Sequence, residues 1–157
     1  MPEAVHLRKT AMDIRTIRPE IHLSTRLVKS EDLNHHGTLF AGRTAEWFVE
    51  SGFIAATALL DPRTVVCLKV HGMYFTSPAN PGEVLKFESK IVYTGRSSLV
   101  AYIRVCKSNS AKTLVEGFVT FIHVDEETRP LPHNIITEPV TEADKLLYEQ
   151  AEGLKKG

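Results

Sequence analysis

One apolar helix-like segment followed by a long succession of strand-like segments restricts the fold of this chain more than any other feature. Small and apolar residues form a broad helical stripe from about residue 42 to 60, and Asp61-Pro62 ends it because proline cannot continue the helical hydrogen-bond pattern. A strand is predicted before the helix, and four strands, rich in β-branched and aromatic residues, are predicted after it. The predicted strands cover residues 21–28, 64–75, 82–94, 98–107 and 113–125. Short turns join the last four, so we expect an α+β fold with a long antiparallel sheet wrapped around one buried helix.

Length and charge narrow the classes of function. A chain of 157 residues is typical of one domain that buries roughly two thirds of its unfolded surface. Nineteen basic and 19 acidic residues leave a formal net charge of zero, which argues against nucleic acid or an anionic membrane as partner. A local cluster of basic residues can still bind a small polyanion.

The sequence also predicts the compartment and the state of the cysteines. No apolar run approaches the roughly 18 residues of a membrane span, and the first residues lack a signal-peptide core, so we expect a cytoplasmic protein. Cys67 and Cys106 lie in apolar strand-like runs and are expected to be buried free thiols. Their number and spacing favour neither a disulfide framework nor a metal site.

Three segments of different character are predicted along the chain. Residues 1–20 mix charges with little periodicity and form a loose N-terminal lead-in, whereas residues 21–132 contain the α+β domain. Residues 133–157 form a C-terminal tail with an exposed helix, in which Thr141 is the expected N-cap and Asp144 follows at capping-box-like spacing.

The segment Asn-His-His-Gly-Thr-Leu-Phe-Ala-Gly-Arg (residues 34–43) leads into the predicted helix and concentrates groups suited to catalysis. A glycine-containing turn at a helix start presents free N–H groups and the positive end of the helix dipole. Such a site can stabilise a carbonyl oxygen as it becomes negative, and Gly42 is the expected donor. Glu50, two turns into the helix, is the expected base or nucleophile, and Glu46, one turn earlier, is the alternative. This combination predicts acyl chemistry.

Three further polar residues of the loop belong to the candidate set, each with a structural alternative. Asn34 can orient a water or a thioester, or it can form an Asx turn. Thr38 can contribute to the site or cap the helix entry. His36 can act as acid or base, or remain a solvated loop histidine. The candidate catalytic residues are therefore Glu50, Asn34, Thr38, Gly42, Glu46 and His36.

Four motifs occur in an order that resembles a known family. Asn-His-His-Gly-Thr-Leu-Phe-Ala-Gly (34–42) is similar to a loop that enters a central helix, and Phe-Thr-Ser-Pro-Ala-Asn-Pro-Gly-Glu-Val (75–84) resembles an aromatic-x-x-Pro-x-x-x-Gly-Asp-hydrophobic turn. Thr-Gly-Arg-Ser-Ser (94–98) and Asp-Glu-Glu-Thr-Arg-Pro-Leu-Pro (125–132) follow. Together they resemble the hotdog-fold acyl-CoA thioesterases, in particular the small bacterial acyl-CoA hydrolases, over most of the chain.

The resemblance implies a reaction, an assembly and a second group of site residues. Acyl-CoA would be hydrolysed to a free acid and coenzyme A, with no cofactor besides the coenzyme A of the substrate. Two protomers would pair their sheets edge to edge and share active sites, and tetramers or hexamers occur in this family; neither nucleic acid nor a membrane is an expected partner. The coenzyme would be bound, through its phosphates, by Gly95, Arg96, Ser97 and Ser98.

One helix position departs from the family pattern. The family usually has an aspartate, often followed by a glutamate, and the gapless match places that aspartate at Val49, so that only Glu50 remains. A shift of one residue rotates a helical side chain by about 100°, and Glu50 need not point where the aspartate would. Two alternatives stay open beside hydrolysis. One is a hydroxyacyl-thioester dehydratase or hydratase using His36 and Glu50, and the other is an acyl-CoA-binding regulator without catalysis.

Overall fold

Alternation of apolar and polar residues between 84 and 123 produces three long strands at the centre of an antiparallel sheet. The computed structural model describes residues 13–154. Its strands are β1 (Arg15–Ile17), β2 (His22–Leu27), β3 (Val65–Val70), β4 (Tyr74–Phe75), β5 (Val84–Thr94), β6 (Ser98–Lys107), β7 (Thr113–His123) and β8 (Ile135–Thr137), and its α-helices are α1 (Ala41–Thr57) and α2 (Glu142–Leu154). The main sheet has the order β2-β5-β6-β7-β3, and β4 also pairs with β7. The predicted fold class, a curled antiparallel sheet around a central helix, is confirmed.

Helix α1 packs against the inner face of this sheet through small and apolar residues spaced three and four apart. Gly52 allows the close approach, because a Cβ atom at this position would lie 3.1 Å from Ile103 Cδ1 and 3.2 Å from the Phe121 ring. The buried residues of α1 are Thr44, Trp47, Phe48, Ser51, Gly52, Ala55 and Ala56. The helix ends three residues before its predicted end, since the chain tightens there and Leu59 N donates to Ala56 O at 3.1 Å.

Helix α2 covers part of the opposite, outer face of the sheet. Its N-cap is Thr141, as expected, and the Thr141 hydroxyl accepts a hydrogen bond from Asp144 N at 3.1 Å. The expected exposed helix instead buries Ala151 against Val92 and Val100 of the sheet. The strands have apolar side chains on both faces of the sheet, and the amphipathic helix α2 packs against those on the outer face.

Strand β1, near the start of the described residues, and strand β8 form a small second sheet. β1 pairs in parallel with β8, and Ile17 packs against the main core. The structure therefore has a strand within the segment expected to be a loose lead-in, while residues 1–12 of that segment lie outside the described residues. A pairing between three-residue strands so distant in sequence leaves no local periodicity to read.

Cysteine burial and membrane spans can also be compared with expectation. Cys106 is buried as predicted, but the prediction is wrong for Cys67, which is exposed because its strand β3 forms an edge of the sheet. Neither α-helix between residues 13 and 154 has the length and apolarity that crossing a membrane requires.

The contact between Gly117 and Gly72 is expected to be sensitive to a single methyl group. A Cβ atom on Gly117 would lie 2.2 Å from the backbone oxygen of Gly72, where β3 gives way to β4, and 3.2 Å from Phe48 Cζ. Gly117→Ala should lower the free energy of unfolding by about 1–3 kcal/mol, as measured by urea denaturation. Gly153→Ala in α2 is the matched control, because a Cβ there meets nothing within 4 Å. Equal stability of the two variants would contradict this packing.

Candidate active site

The loop before α1 is organised by the side chain of Asn34. Its Oδ1 accepts hydrogen bonds from the backbone N–H groups of His36 at 2.8 Å and Thr38 at 3.2 Å, and its Nδ2 donates to the Thr38 hydroxyl at 3.1 Å. Gly37, at φ +76°, completes the turn in a conformation that glycine adopts easily. Asn34 and Thr38 therefore hold the loop in shape. The exposed His36 ring packs beside His35, with 4.0 Å between ring centroids.

An ion pair between a buried carboxylate and a half-exposed arginine attaches this loop to the helix. Asp32 is 4% exposed; its carboxylate accepts a hydrogen bond from Lys29 N at 2.9 Å and lies 3.1 Å from Arg43 Nε. The backbone continues the attachment, since Phe40 N donates to Asp32 O and Leu39 N donates to Ala79 O, both at 2.9 Å. The sequence analysis missed Asp32, because nothing in a polar loop marks one carboxylate as buried.

The first turn of α1 presents backbone amides to the space beside the loop. The N–H groups of Arg43 and Thr44 donate to Phe40 O at 3.0 and 3.1 Å, so those of Ala41 and Gly42 precede the first helical hydrogen bonds. Ala41 and Thr44 of this turn line a cavity of about 100 Å³, whose other lining residues are mainly apolar. Two free amides at the positive end of a helix can polarise a carbonyl group placed there.

The two candidate carboxylates on α1 differ in their surroundings. Glu46 follows Gly42 by one helical turn, is 61% exposed at its side chain, and has Arg43 Nη1 as its ion-pair partner at 3.6 Å. Glu50 pairs with Arg26 of β2, whose guanidinium carbon lies 5.4 Å from the centroid of the Trp47 ring. The helix therefore brings Gly42 and Glu46 together, while Glu50 is held towards the β2 edge.

Val49 lies on the other flank of the helix. Phe53, one turn further on, packs against Phe121 of β7 with 6.0 Å between ring centroids, so this flank faces β7 and β3. Glu50 lies on the flank that contacts β2. The rotation of about 100° between consecutive positions thus separates Glu50 from the direction of Val49.

The turn between β5 and β6 contains the other group of candidate residues and is held by two histidines. Gly95 N donates to Ser98 O at 3.0 Å and closes the turn. Backbone N–H groups of His133 and His123 donate to Arg96 O at 3.2 Å and Ser97 O at 2.8 Å. The His133 ring adds a contact of 2.9 Å from Nε2 to Ser98 O, and its Nδ1 accepts from the N–H of Ile135 at 2.9 Å. Since Nδ1 is an acceptor, Nε2 carries the proton and the ring is neutral.

Within one protomer the loop and the turn lie at opposite ends of the sheet. The cavity beside the loop is lined by Leu85, at the start of β5, and Leu114, at the start of β7. The turn follows Thr94, at the end of β5, so the length of that strand, roughly 30 Å, separates the two groups. Neither group can complete the other's site inside one chain.

Comparisons with known proteins agree with this architecture. A model of the thioesterase superfamily matches residues 36–113. The crystal structure of a hexameric acyl-CoA thioesterase is similar to this chain at 33% identity, covering 91% of this chain and 94% of that one with a TM-score of 0.82. YkhA of Bacillus subtilis strain 168, described as an uncharacterized acyl-CoA thioester hydrolase, is 25% identical over 124 residues, or 76% of this chain and 71% of that protein. The hexameric thioesterase y2039 of Yersinia pestis is 26% identical and covers 71% of this chain and 93% of its own, with a TM-score of 0.63.

Fold and similarity together define the class of this protein as a thioesterase-superfamily enzyme of the hotdog type. Within that class, the chain belongs to the acyl-CoA thioesterase family, and the resemblance inferred from its sequence is confirmed.

Removing the His133 ring should destabilise the protein more at neutral than at acidic pH. His133→Ala leaves Ser98 O and Ile135 N–H without these partners and should cost about 1–3 kcal/mol. Burial holds the pKa of His133 below its ordinary value of 6.5, and His123 and Arg15 also lower it, while the Ser98 contact raises it. The unfolded chain therefore binds the proton first, so the wild type keeps the full contribution above pH 6.5 and loses it as the pH falls below that value.

Urea unfolding of both proteins at about pH 7.5 and about pH 5 measures this effect. The difference in the free energy of unfolding between wild type and His133→Ala should be smaller at the lower pH, because protonation removes the contribution of His133. Contributions from all other groups cancel in the comparison. A difference that grows at the lower pH, or does not change, would contradict a neutral His133 that holds the turn.

Proposed function

We propose that this protein hydrolyses acyl-CoA thioesters at active sites shared between two protomers. The observation that carries the proposal is the pair of amides at Ala41 and Gly42 that precede the helical hydrogen bonds, with Ala41 lining a small, mainly apolar cavity in a protein of thioesterase fold. The similar proteins named above support it, since one is described as an acyl-CoA thioesterase and another as an acyl-CoA thioester hydrolase.

The topology of the sheet explains why two protomers are needed. Strand β3 is an edge strand that runs from Val65, beside the turn at residues 95–98, towards β4, beside the loop at residues 34–42. If two β3 strands pair in antiparallel fashion about a twofold axis, the turn of one protomer is brought next to the loop of its partner. The edge offers an apolar surface for such pairing, with exposed side chains of Val66, Leu68, Val70, Tyr74 and Phe75.

The reaction follows from the groups around the helix start. The thioester carbonyl oxygen accepts hydrogen bonds from the N–H groups of Ala41 and Gly42, which stabilise the negative charge that develops on it. Glu46 takes a proton from the attacking water, whose oxygen bonds to the carbonyl carbon. Collapse of the tetrahedral intermediate breaks the C–S bond, and the departing sulfur of coenzyme A receives the proton. We assign the base to Glu46 rather than Glu50, because Glu46 is one turn from Gly42 and helical side chains lean towards the N-terminus.

Glu46→Gln should lower kcat by about two orders of magnitude with a smaller effect on KM, since it keeps the shape and removes the base. Thiol release from short-, medium- and long-chain acyl-CoAs measures the rate. Glu50→Gln is the matched control on the same helix and should retain most of the activity. A large loss in Glu50→Gln alone would reassign the base, and a wild type that hydrolyses none of the thioesters would overturn the proposed function. Hydration of crotonyl-CoA without hydrolysis would favour the hydratase alternative.

Leu68→Lys should weaken self-association, because it introduces a charge on the exposed apolar edge where two β3 strands are proposed to pair. Leu68 is 64% exposed, and Leu146→Lys on α2, where the leucine is 56% exposed, is the control. Light scattering coupled to gel filtration should find the wild type and the control at least dimeric and Leu68→Lys shifted towards monomer, with loss of thioesterase activity. An active wild-type monomer would contradict the shared site.

A further inference from the structure

A groove of about 400 Å³ lies on the outer face of the sheet, between the end of α2 and strand β3. Its apolar floor includes Val100, Ile122 and Leu154. At one end it reaches the turn at residues 95–98, and at the other it reaches Lys69 and His71. A mainly apolar cleft of this size with a few polar groups at its rim is typical of a small-ligand site.

The charges around this groove are of one sign. Lys69 and Arg96 line it, no acidic residue does, and neither cation forms an ion pair with any residue between 13 and 154. Elsewhere in the sheet the basic side chains are neutralised: Lys90 lies 2.6 Å from Asp144, Lys107 lies 2.7 Å from Glu83, and Arg104 lies 3.4 Å from Glu88. Unpaired cations concentrated beside an apolar floor favour a ligand with phosphate groups and a flat apolar part.

His71 adds an oriented ring to this rim. Its Nε2 lies 2.7 Å from the hydroxyl of Thr120, which also lines the groove. The imidazole is thereby fixed at the end of the groove opposite Arg96, so that polar groups stand at both ends of the apolar floor.

We propose that this groove binds the phosphorylated nucleoside at the end of coenzyme A, with Lys69 as a ligand of its phosphates and the base on the floor beside Leu154. The proposal rests on acyl-CoA being the substrate. It extends the coenzyme-binding site beyond the turn at residues 95–98 to β3 and α2. Because the same turn is proposed to lie next to the partner's loop, a coenzyme bound in the groove would have its thioester end near that loop. Lys69 would then determine specificity for CoA-linked thioesters over thioesters of shorter thiols.

Kinetics of Lys69→Ala with two thioesters of the same acyl group test this role. For the acyl-CoA, KM should rise about tenfold with little change in kcat, as expected for loss of one charge-assisted contact. For the N-acetylcysteamine thioester, which has no nucleotide, KM should not change. Lys86→Ala is the control, because Lys86 lies in the same sheet but is paired with Glu88 at 3.9 Å. An unchanged KM for acyl-CoA, or an equal rise for both thioesters, would overturn the proposal.

Calorimetric binding of adenosine 3′,5′-bisphosphate separates this proposal from the proposed hydrolysis. The wild type should bind it, Lys69→Ala should bind it about tenfold more weakly, and it should compete with acyl-CoA. If the wild type does not bind the bisphosphate, the assignment of the groove to the substrate is wrong. Binding that does not compete with acyl-CoA would indicate a site for a free nucleotide effector and would also overturn the assignment. Binding of the bisphosphate does not require turnover. If the protein binds it but hydrolyses no thioester, the proposed hydrolysis is wrong and the proposed binding in the groove is still supported.

Discussion

The packing of α1 against the sheet through Gly52 is the constraint on which the rest of the molecule depends. Ile103 and Phe121 occupy the space that a side chain at this position would need, so the helix has one rotation at which it fits. That rotation buries Phe48 and Ser51, and the Ser51 carbonyl accepts a hydrogen bond of 2.7 Å from the hydroxyl of Ser89 on β5. The amides of the first turn and the directions of Val49, Glu46 and Glu50 all follow from this one rotation.

A single helix on a broad sheet has consequences for assembly as well as for chemistry. It covers the inner face, but among the described residues, 13–154, no strand pairs with the outer side of the edge strand β3. The candidate residues of the loop and of the turn lie at opposite ends of the sheet. The separation is a product of strand length, since hairpin-connected strands place their turns alternately at the two ends. In the proposed dimer, antiparallel pairing of two β3 strands places the turn of one protomer beside the loop of the other, with no change in the structure of either protomer.

Sequence periodicity predicted what is repetitive and local, and missed what depends on pairs of distant residues. The apolar stripe of α1 and the alternation in β5 to β7 extend over many residues, so their positions were predicted to within a few residues at each end. The β1–β8 pair, the exposure of Cys67 and the contact of His133 with Ser98 each depend on one distant neighbour. For the candidate site, the sequence predicted the loop and the helix start, while the different directions of Glu46 and Glu50 follow from the rotation of α1 in the structure.

Valine at position 49 bears on how a thioesterase can work on this helix. The Val49 flank runs beside Phe53 and Phe121, where a carboxylate would lose hydration and gain basicity. In this chain the carboxylates of α1 lie instead on exposed turns, Glu46 beside Arg43 and Glu50 beside Arg26. In the proposed reaction the carbonyl is polarised by the amides of Ala41 and Gly42, whose position is set by the start of α1. The proposed reaction therefore depends on the placement of the helix start, to which the ion pair between the buried Asp32 and the half-exposed Arg43 contributes.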